Sequence, residues 1–312
     1  MKTIKLFNCL TVLILVSVIG NAQVNIALDM PKYKDVAEIK NRQLIVVVNP
    51  PDPAIVGKFD KKSMPDVVQQ YLQIIGAYND NMKYFVSKFW KFNSKPVLYK
   101  TRAEIDEMMQ DKSQRDKYYL MYCYSKSYSI NKDLQLSINH NGEKIEGMTS
   151  VFSIGYYNES PFYTIAVGLL PTIEELAFYI PTLSCNFNYI CSHKDKPAMS
   201  DMIDGNAPML AGKTLLILSD YVNPDFRSEI GKYYPGKFKL VDKEELQRAI
   251  VSGDSGCAYA ARQGFVYIVN CQDGAIMGYT TKNVSGIDNP KEGLRKDFFV
   301  DIGDFCRAGM KK

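Results

Sequence analysis

The feature that most constrains how this chain can fold is an internal repeat. Residues 85–109 align without a gap with residues 226–250, at an offset of 141 positions. In each copy a polar residue suited to cap a helix, Thr101 or Asp242, precedes a charged turn and then apolar residues at i, i+3 and i+4 spacing. The match predicts that the chain contains the same structural unit twice.

The sequence around the two copies predicts what the unit contains. Upstream of them, apolar runs typical of buried strands end at Asn49-Pro50 and at Asn223-Pro224. Downstream, each copy has a short strand-like run and then a turn pair that favours a hairpin, Asn141-Gly142 and Asp273-Gly274. We therefore expect an α/β fold with mixed sheets, a tandem duplication of a strand-helix-strand-helix-strand unit plus an antiparallel hairpin. The helix-separated strands should pair in parallel.

The first copy carries additions, and a polar stretch separates it from the second. An apolar helix is predicted around residues 66–78, and a later helix is predicted to start at Pro171. Two further strand-like runs follow the first hairpin. We predict a first α/β unit with extra strands and a helix, a linker, and a second α/β unit with a C-terminal helix. Their predicted ranges are 23–195, 196–212 and 213–312.

The start of the chain has the pattern of a signal peptide. Lys2 and Lys5 precede the apolar residues 10–19, and Gly20-Asn21-Ala22 offers the small residues that a signal peptidase needs. We predict a leader over residues 1–22 and a secreted protein, periplasmic or extracellular. No later apolar run approaches 18 residues, so no transmembrane anchor is expected. Without the two leader lysines the formal charge of +4 falls to +2, which does not favour nucleic-acid binding.

One segment of the second half resembles a known family. The sequence "FKLVDKEELQRAI" at 238–250, followed by "VNCQDGAIMGY" at 269–279, resembles the small α/β domain of the TolB amino-terminal and CsgG-like envelope proteins. The resemblance extends over about 70 residues and departs at Asp242, where the family usually has arginine at the helix cap. It implies a role in envelope assembly or as a scaffold, without catalysis, and it carries over no functional residue.

Two motifs raise the question of catalysis or nucleotide binding. The sequence "APMLAGKT" at 207–214 fits a relaxed phosphate-binding loop, but a strand follows it where a helix is required. Lys213 is therefore predicted to be solvated at the start of a strand. A nucleophile at Ser255, in "GDSG", or at Cys191 would need a histidine base, and His140 and His193 are the two candidates. We expect no enzyme activity, no metal site and no cofactor.

The cysteines and the strand ends supply the remaining candidate residues. Cys185 and Cys191 are the best candidates for a disulfide in an exported chain. In open α/β sheets, ligands bind beyond the carboxyl ends of the strands. That rule selects six residues as a candidate binding site: Asn49, Pro50, Asp52, Asp220, Tyr221 and Asn223.

These observations leave three functions to compare. The first is an exported, non-enzymatic protein that binds another macromolecule, expected to be an envelope protein. The alternative is a soluble protein that holds a small molecule in a cleft between its halves, because ligand pockets favour such interfaces. The third is an enzyme using Cys191 or Ser255, which requires one of the two histidines within hydrogen-bond reach.

Overall fold

The computed structural model describes residues 31–61, 65–125, 138–140, 143–145, 150–167, 170–194, 198–263, 265–280 and 293–311. The predicted leader over residues 1–22 lies outside them. The strands of the first half are β1 Gln43–Val47, β2 Leu98–Lys100, β3 Tyr118–Ser125, β4 Ile138–His140, β5 Glu143–Ile145, β6 Ser150–Gly155 and β7 Tyr163–Val167. Those of the second half are β8 Thr214–Leu218, β9 Lys237–Val241, β10 Cys257–Gln263, β11 Phe265–Asn270 and β12 Ile276–Thr280.

The α-helices of the described residues are α1 Tyr33–Lys40, α2 Pro53–Lys61, α3 Pro65–Phe89, α4 Arg102–Met108, α5 Ile173–Ser192, α6 Met199–Asn206, α7 Ile230–Tyr233, α8 Lys243–Ser252 and α9 Lys296–Met310. Helix α3 contains the predicted helix at 66–78, and α9 is the predicted C-terminal helix. Short 3-10 helices cover Lys112–Lys117, Ala207–Gly212, Ser219–Tyr221 and Pro224–Glu229.

The two halves have the same sheet, which confirms the predicted duplication and the α/β class. The strand orders are β2-β1-β3-β6-β7 and β9-β8-β10-β11-β12. In each sheet the first strand pairs in parallel with the second and the third, and two antiparallel strands follow. The last parallel pairs, Val47 with Lys100 and Leu218 with Val241, occupy equivalent positions. The repeat seen in sequence is therefore a repeat in structure.

The predicted helix caps are confirmed at both copies. The Thr101 side chain accepts a hydrogen bond from the backbone N–H of Glu104, and the Glu104 carboxylate accepts one from the backbone N–H of Thr101. The Asp242 side chain accepts from the backbone N–H of Glu245. Each cap therefore satisfies a backbone donor that would otherwise lack a partner at the start of its helix.

The predicted correspondence of the two hairpins is wrong. Strands β4 and β5 do form a hairpin across the Asn141-Gly142 turn, which itself lies outside the described residues. They form a separate two-stranded sheet, however, and the strands that correspond to β11 and β12 are β6 and β7. Alternation and turn residues identify a hairpin locally, but they do not determine which sheet it joins.

The predicted linker at 196–212 is helical over most of its length. It contains helix α6 and the 3-10 helix Ala207–Gly212, and the side chains of Met202, Ile203 and Leu210 are buried. The Asn206 side chain donates to the carbonyl of Ile276 in the edge strand β12. The polar residues and prolines of this segment led to the linker prediction, but its apolar residues, spaced three or four positions apart, pack in the core.

A smaller error concerns the start of α5. The helix begins at Ile173 after Thr172, whose side chain accepts from the backbone N–H of Glu175. Pro171 therefore precedes the cap and is not the first helical residue.

The two halves share one hydrophobic core, with α5 at its centre. One side of α5 packs with α1 and α3 against the first sheet, and the other side faces the second sheet. The Phe178 ring of α5 stacks on Tyr267 of β11 with centroids 5.7 Å apart. The layers run in order: α4, first sheet, the helices α1, α3 and α5, second sheet, then α7 and α9. Helix α8 shares the central layer with α5.

Candidate functional site

A cleft of about 620 Å³ opens where the central helix layer meets the second sheet. It lies beyond the ends of β8 and β9, at Leu218 and Val241, and beside the first turns of α5 and α8. One wall therefore comes from the first half of the chain and the remaining walls come from the second. The volume lies within the range of clefts that hold small organic ligands.

Strand order explains why a space exists at this point. Strand β8 lies between β9 and β10, so the connections leave it in opposite directions, which makes a topological switch point. The ladder between β8 and β10 ends at the pair Leu216 and Tyr259. Residues 260–262 of β10 continue past that end and line the cleft. Ala261 faces the central helix layer, and because its side chain is small this side of the cleft is not filled.

The inner walls of the cleft are apolar. Phe178 projects from α5, Leu246 and Ile250 from α8, and Leu218 and Val241 come from the strand ends. The Tyr259 ring also contributes, while its phenol oxygen is buried and has no hydrogen-bond partner among the described residues. Burial raises the pKa of Tyr259 well above its ordinary value, so this phenol is neutral. These walls offer contact area to an apolar group.

A hydrogen-bonded ion pair joins the two helices on the polar side of the cleft. Lys243 Nζ lies 2.8 Å from Glu174 Oε1, and Gln247 Nε2 donates to the same oxygen at 2.5 Å. Burial alone would raise the pKa of Glu174, but hydrogen bonds from Lys243, from its own backbone and from Gln247 hold the pKa below its ordinary value. Glu174 is therefore ionised, and its charge is matched by Lys243.

Two further carboxylates in the cleft cap the helices. Glu175 Oε2 accepts from the backbone N–H of Thr172 at 2.7 Å, and Thr172 Oγ1 accepts in return from the N–H of Glu175. Asp242 Oδ1 accepts from the backbone N–H of Glu245 at 2.7 Å. Both caps place a negative charge at a helix N-terminus, where the helix dipole favours it. The remaining acid, Asp220, is exposed at the turn after β8.

Two of the six predicted binding residues line the cleft, and four do not. Asp220 and Tyr221 line the cleft, as expected for residues that follow a parallel strand. Asn223 does not line it: its side chain accepts from the backbone N–H of Asp225, and its own N–H donates to the carbonyl of Leu294.

The three candidates of the first half, Asn49, Pro50 and Asp52, are not among the residues that line the cleft. Helix α3 holds this turn instead. Asn79 exchanges two hydrogen bonds with the backbone of Asn49, and the backbone N–H of Asp52 donates to the Tyr71 hydroxyl. The long helix that the first copy inserts after β1 therefore occupies the backbone groups of this turn.

Sequence reasoning missed the residues of α5 and α8 that form the cleft. Phe178 and Tyr267 meet across 89 positions of sequence, and no local pattern predicts such a contact. The sequence did contain one signal: residues 176–180, Leu-Ala-Phe-Tyr-Ile, have no polar face, which is typical of a helix enclosed on all sides. In the structure every residue from Leu176 to Ser184 is buried.

The predicted disulfide is wrong. Cys185 and Cys191 are both free, and both lie on α5 six residues apart. Six residues of α-helix rise by about 9 Å, which exceeds the Cα separation that a disulfide can span. Burial, with a smaller contribution from Asp273, raises the pKa of the Cys185 thiol to about 12.

Two residues considered for phosphate binding or catalysis, Lys213 and His193, make contacts with neighbouring residues of the fold. Lys213, predicted to be solvated, is 9% exposed, and its Nζ donates to the carbonyl of Ser255 at 2.7 Å. That prediction is wrong because the strand start is buried under the turn after α8. His193 stacks on Tyr189, and its Nδ1 lies 3.0 Å from Ser192 Oγ. Neither Cys191 nor Ser255 is among the hydrogen-bond partners of His193 in the part of the chain that the structure describes.

Searches of the described residues find neither a group of three potential metal ligands nor a helix that could span a membrane. Comparisons of the chain with family models, curated proteins and solved structures find no match. The resemblance to the TolB amino-terminal and CsgG-like domains therefore stays a prediction.

Proposed function

We infer that this protein binds a small organic molecule in the cleft between its halves. The observation that carries the proposal is the cleft itself, which has apolar walls, a polar rim and a position at the switch point of a parallel sheet. The ligand would contact α5 of the first half and α8 of the second, so binding would join the two repeats.

The proposal is for binding without catalysis. Of the four carboxylates in the cleft, Glu175 and Asp242 serve as helix caps and Glu174 is paired with Lys243. Each of these three carboxylates is held in position by a fixed hydrogen-bond partner. Carboxylates held in this way suit ligand recognition, and we do not assign them a role in catalysis. Export, an envelope location and a macromolecular partner stay predictions that rest on the sequence alone.

Filling the cleft should abolish binding. The Ser219 side chain lines the cleft and makes no hydrogen bond to another described residue, so Ser219→Phe adds bulk there without breaking a side-chain contact. A library of fragments would be screened by thermal shift on residues 23–312. A fragment present at tenfold its Kd stabilises the folded chain by about 1.4 kcal/mol, which for a chain of this length raises Tm by about 2–3 °C. Ser219→Phe should lose these shifts.

Ser228→Phe is the matched control, because Ser228 is exposed in the same connection but does not line the cleft. It should keep the fragment shifts of the unmodified chain. Equal shifts in both variants would mean that the fragments bind elsewhere, and the proposed function would be wrong.

A further inference from the structure

The charged side chains that line the cleft determine which ligand charge it favours. Four acidic side chains line it, Glu174, Glu175, Asp220 and Asp242, against two basic ones, Lys243 and Arg262, a formal excess of two negative charges. Glu174 and Lys243 neutralise each other directly. Neither Glu175 nor Asp220 has an ion-pair partner among the described residues. A cleft with low-dielectric walls concentrates the field of such charges and favours a ligand of opposite sign.

The helix N-termini at the cleft do not reverse this preference. A helix N-terminus normally attracts phosphate or carboxylate, because its first backbone N–H groups are unpaired. Here the side chains of Thr172 and Asp242 accept from the N–H groups of Glu175 and Glu245. The carboxylates at these caps add negative charge where an anionic ligand would have to sit.

We propose, given the small-molecule function inferred above, that the ligand of this cleft is an organic cation with an apolar body. Its ammonium group would lie between Glu175 and Asp220 at the rim. Its apolar part would lie along Phe178, Leu246 and Ile250. The backbone of residues 260–262, beyond the end of the ladder with β8, offers carbonyl acceptors to the remaining ammonium protons.

Three probes of similar size and different charge test this proposal. They are 2-phenylethylammonium, 3-phenylpropanoate and 2-phenylethanol, titrated into residues 23–312 with methyl-labelled leucine and isoleucine. NMR shifts of Leu246 and Ile250 report the site, and their concentration dependence gives Kd. We expect the cation to bind about tenfold more tightly than the anion and the neutral alcohol.

Neutralising the two rim carboxylates should remove the preference. Asp220→Asn and Glu175→Gln should each weaken cation binding about threefold, while leaving the alcohol unchanged. Glutamine at position 175 retains an acceptor for the capping box, so the helix start is preserved. The matched control is Glu107→Gln, an exposed residue of α4 on the far side of the first sheet, which should bind the cation like the unmodified chain.

The outcomes separate this proposal from the function on which it rests. Equal binding of all three probes, or tightest binding of the anion, would overturn the cationic ligand and leave a small-molecule cleft. If none of the three probes shifts the methyl signals of Leu246 and Ile250, both the cationic ligand and the small-molecule cleft would be contradicted. A preference for the cation that survives Asp220→Asn and Glu175→Gln would also overturn the assignment of these two carboxylates.

Discussion

Replacing Gly274 with alanine should destabilise the folded chain by about 3–5 kcal/mol. Gly274 lies in the turn between β11 and β12 with φ +77°, a left-handed conformation that costs an alanine about 1–2 kcal/mol. A Cβ there would also lie 2.5 Å from the backbone carbonyl carbon of Pro181 and from the backbone nitrogen of Thr182. The turn would have to withdraw from α5 and break the Thr182 hydroxyl bond to the Gly274 carbonyl.

Chemical denaturation of Gly274→Ala, of a control variant and of the unmodified chain measures this loss of stability. Gly76→Ala is the control, because Gly76 lies within α3 and a Cβ there meets nothing within 4 Å. Alanine at position 76 should stabilise the chain by about 0.5–1 kcal/mol. A loss below 1 kcal/mol for Gly274→Ala would mean that the turn does not pack on α5 as described.

Replacing Phe178 with alanine should cost about 4 kcal/mol. Phe178 is 1% exposed and stacks on Tyr267, so its removal leaves a cavity between the central helix layer and the second sheet. Because one core joins the halves, the variant should still unfold in a single transition at lower denaturant concentration. The same change removes one apolar wall of the cleft and should weaken fragment binding.

Leu72→Ala is the control for this truncation. Leu72 is 42% exposed on α3, so shortening it should cost well under 1 kcal/mol. Two separate transitions in Phe178→Ala would show that the halves fold as independent units. A cost similar to that of Leu72→Ala would show that the contact between Phe178 and Tyr267 carries little stability.

Local signals in the sequence were sufficient to predict the repeated unit. The caps Thr101 and Asp242 mark helices that follow equivalent strands, and both caps are present. The glycine of Asp273-Gly274 adopts the positive φ expected of it. Such features depend on residues a few positions apart, so they can be read from one sequence.

Features that depend on distant residues could not be predicted in this way. The sequence does not indicate that β6 and β7 complete the first sheet, because β4 and β5 give an equally good hairpin signal. It predicted two cleft residues, Asp220 and Tyr221, since a strand end is a local feature.

The same limit applies to helices α5 and α9, which occupy equivalent positions in the two repeats. Both follow the last strand of their sheet, yet α5 is buried on nearly all sides while Asp297 and Asp304 of α9 are exposed. Only the three-dimensional arrangement shows that the helix layer of the first half covers the sheet of the second, and that α9 presents charged residues on its outer side.

The most direct test of the account is a crystal structure of residues 23–312 soaked with 2-phenylethylammonium. The account predicts electron density for the compound in the cleft, with its ring against Phe178 and its ammonium group within hydrogen-bond distance of Asp220 or Glu175. Density for the compound only at other surfaces, with the cleft open and accessible in the crystal, would contradict the claim that the two halves form a ligand site.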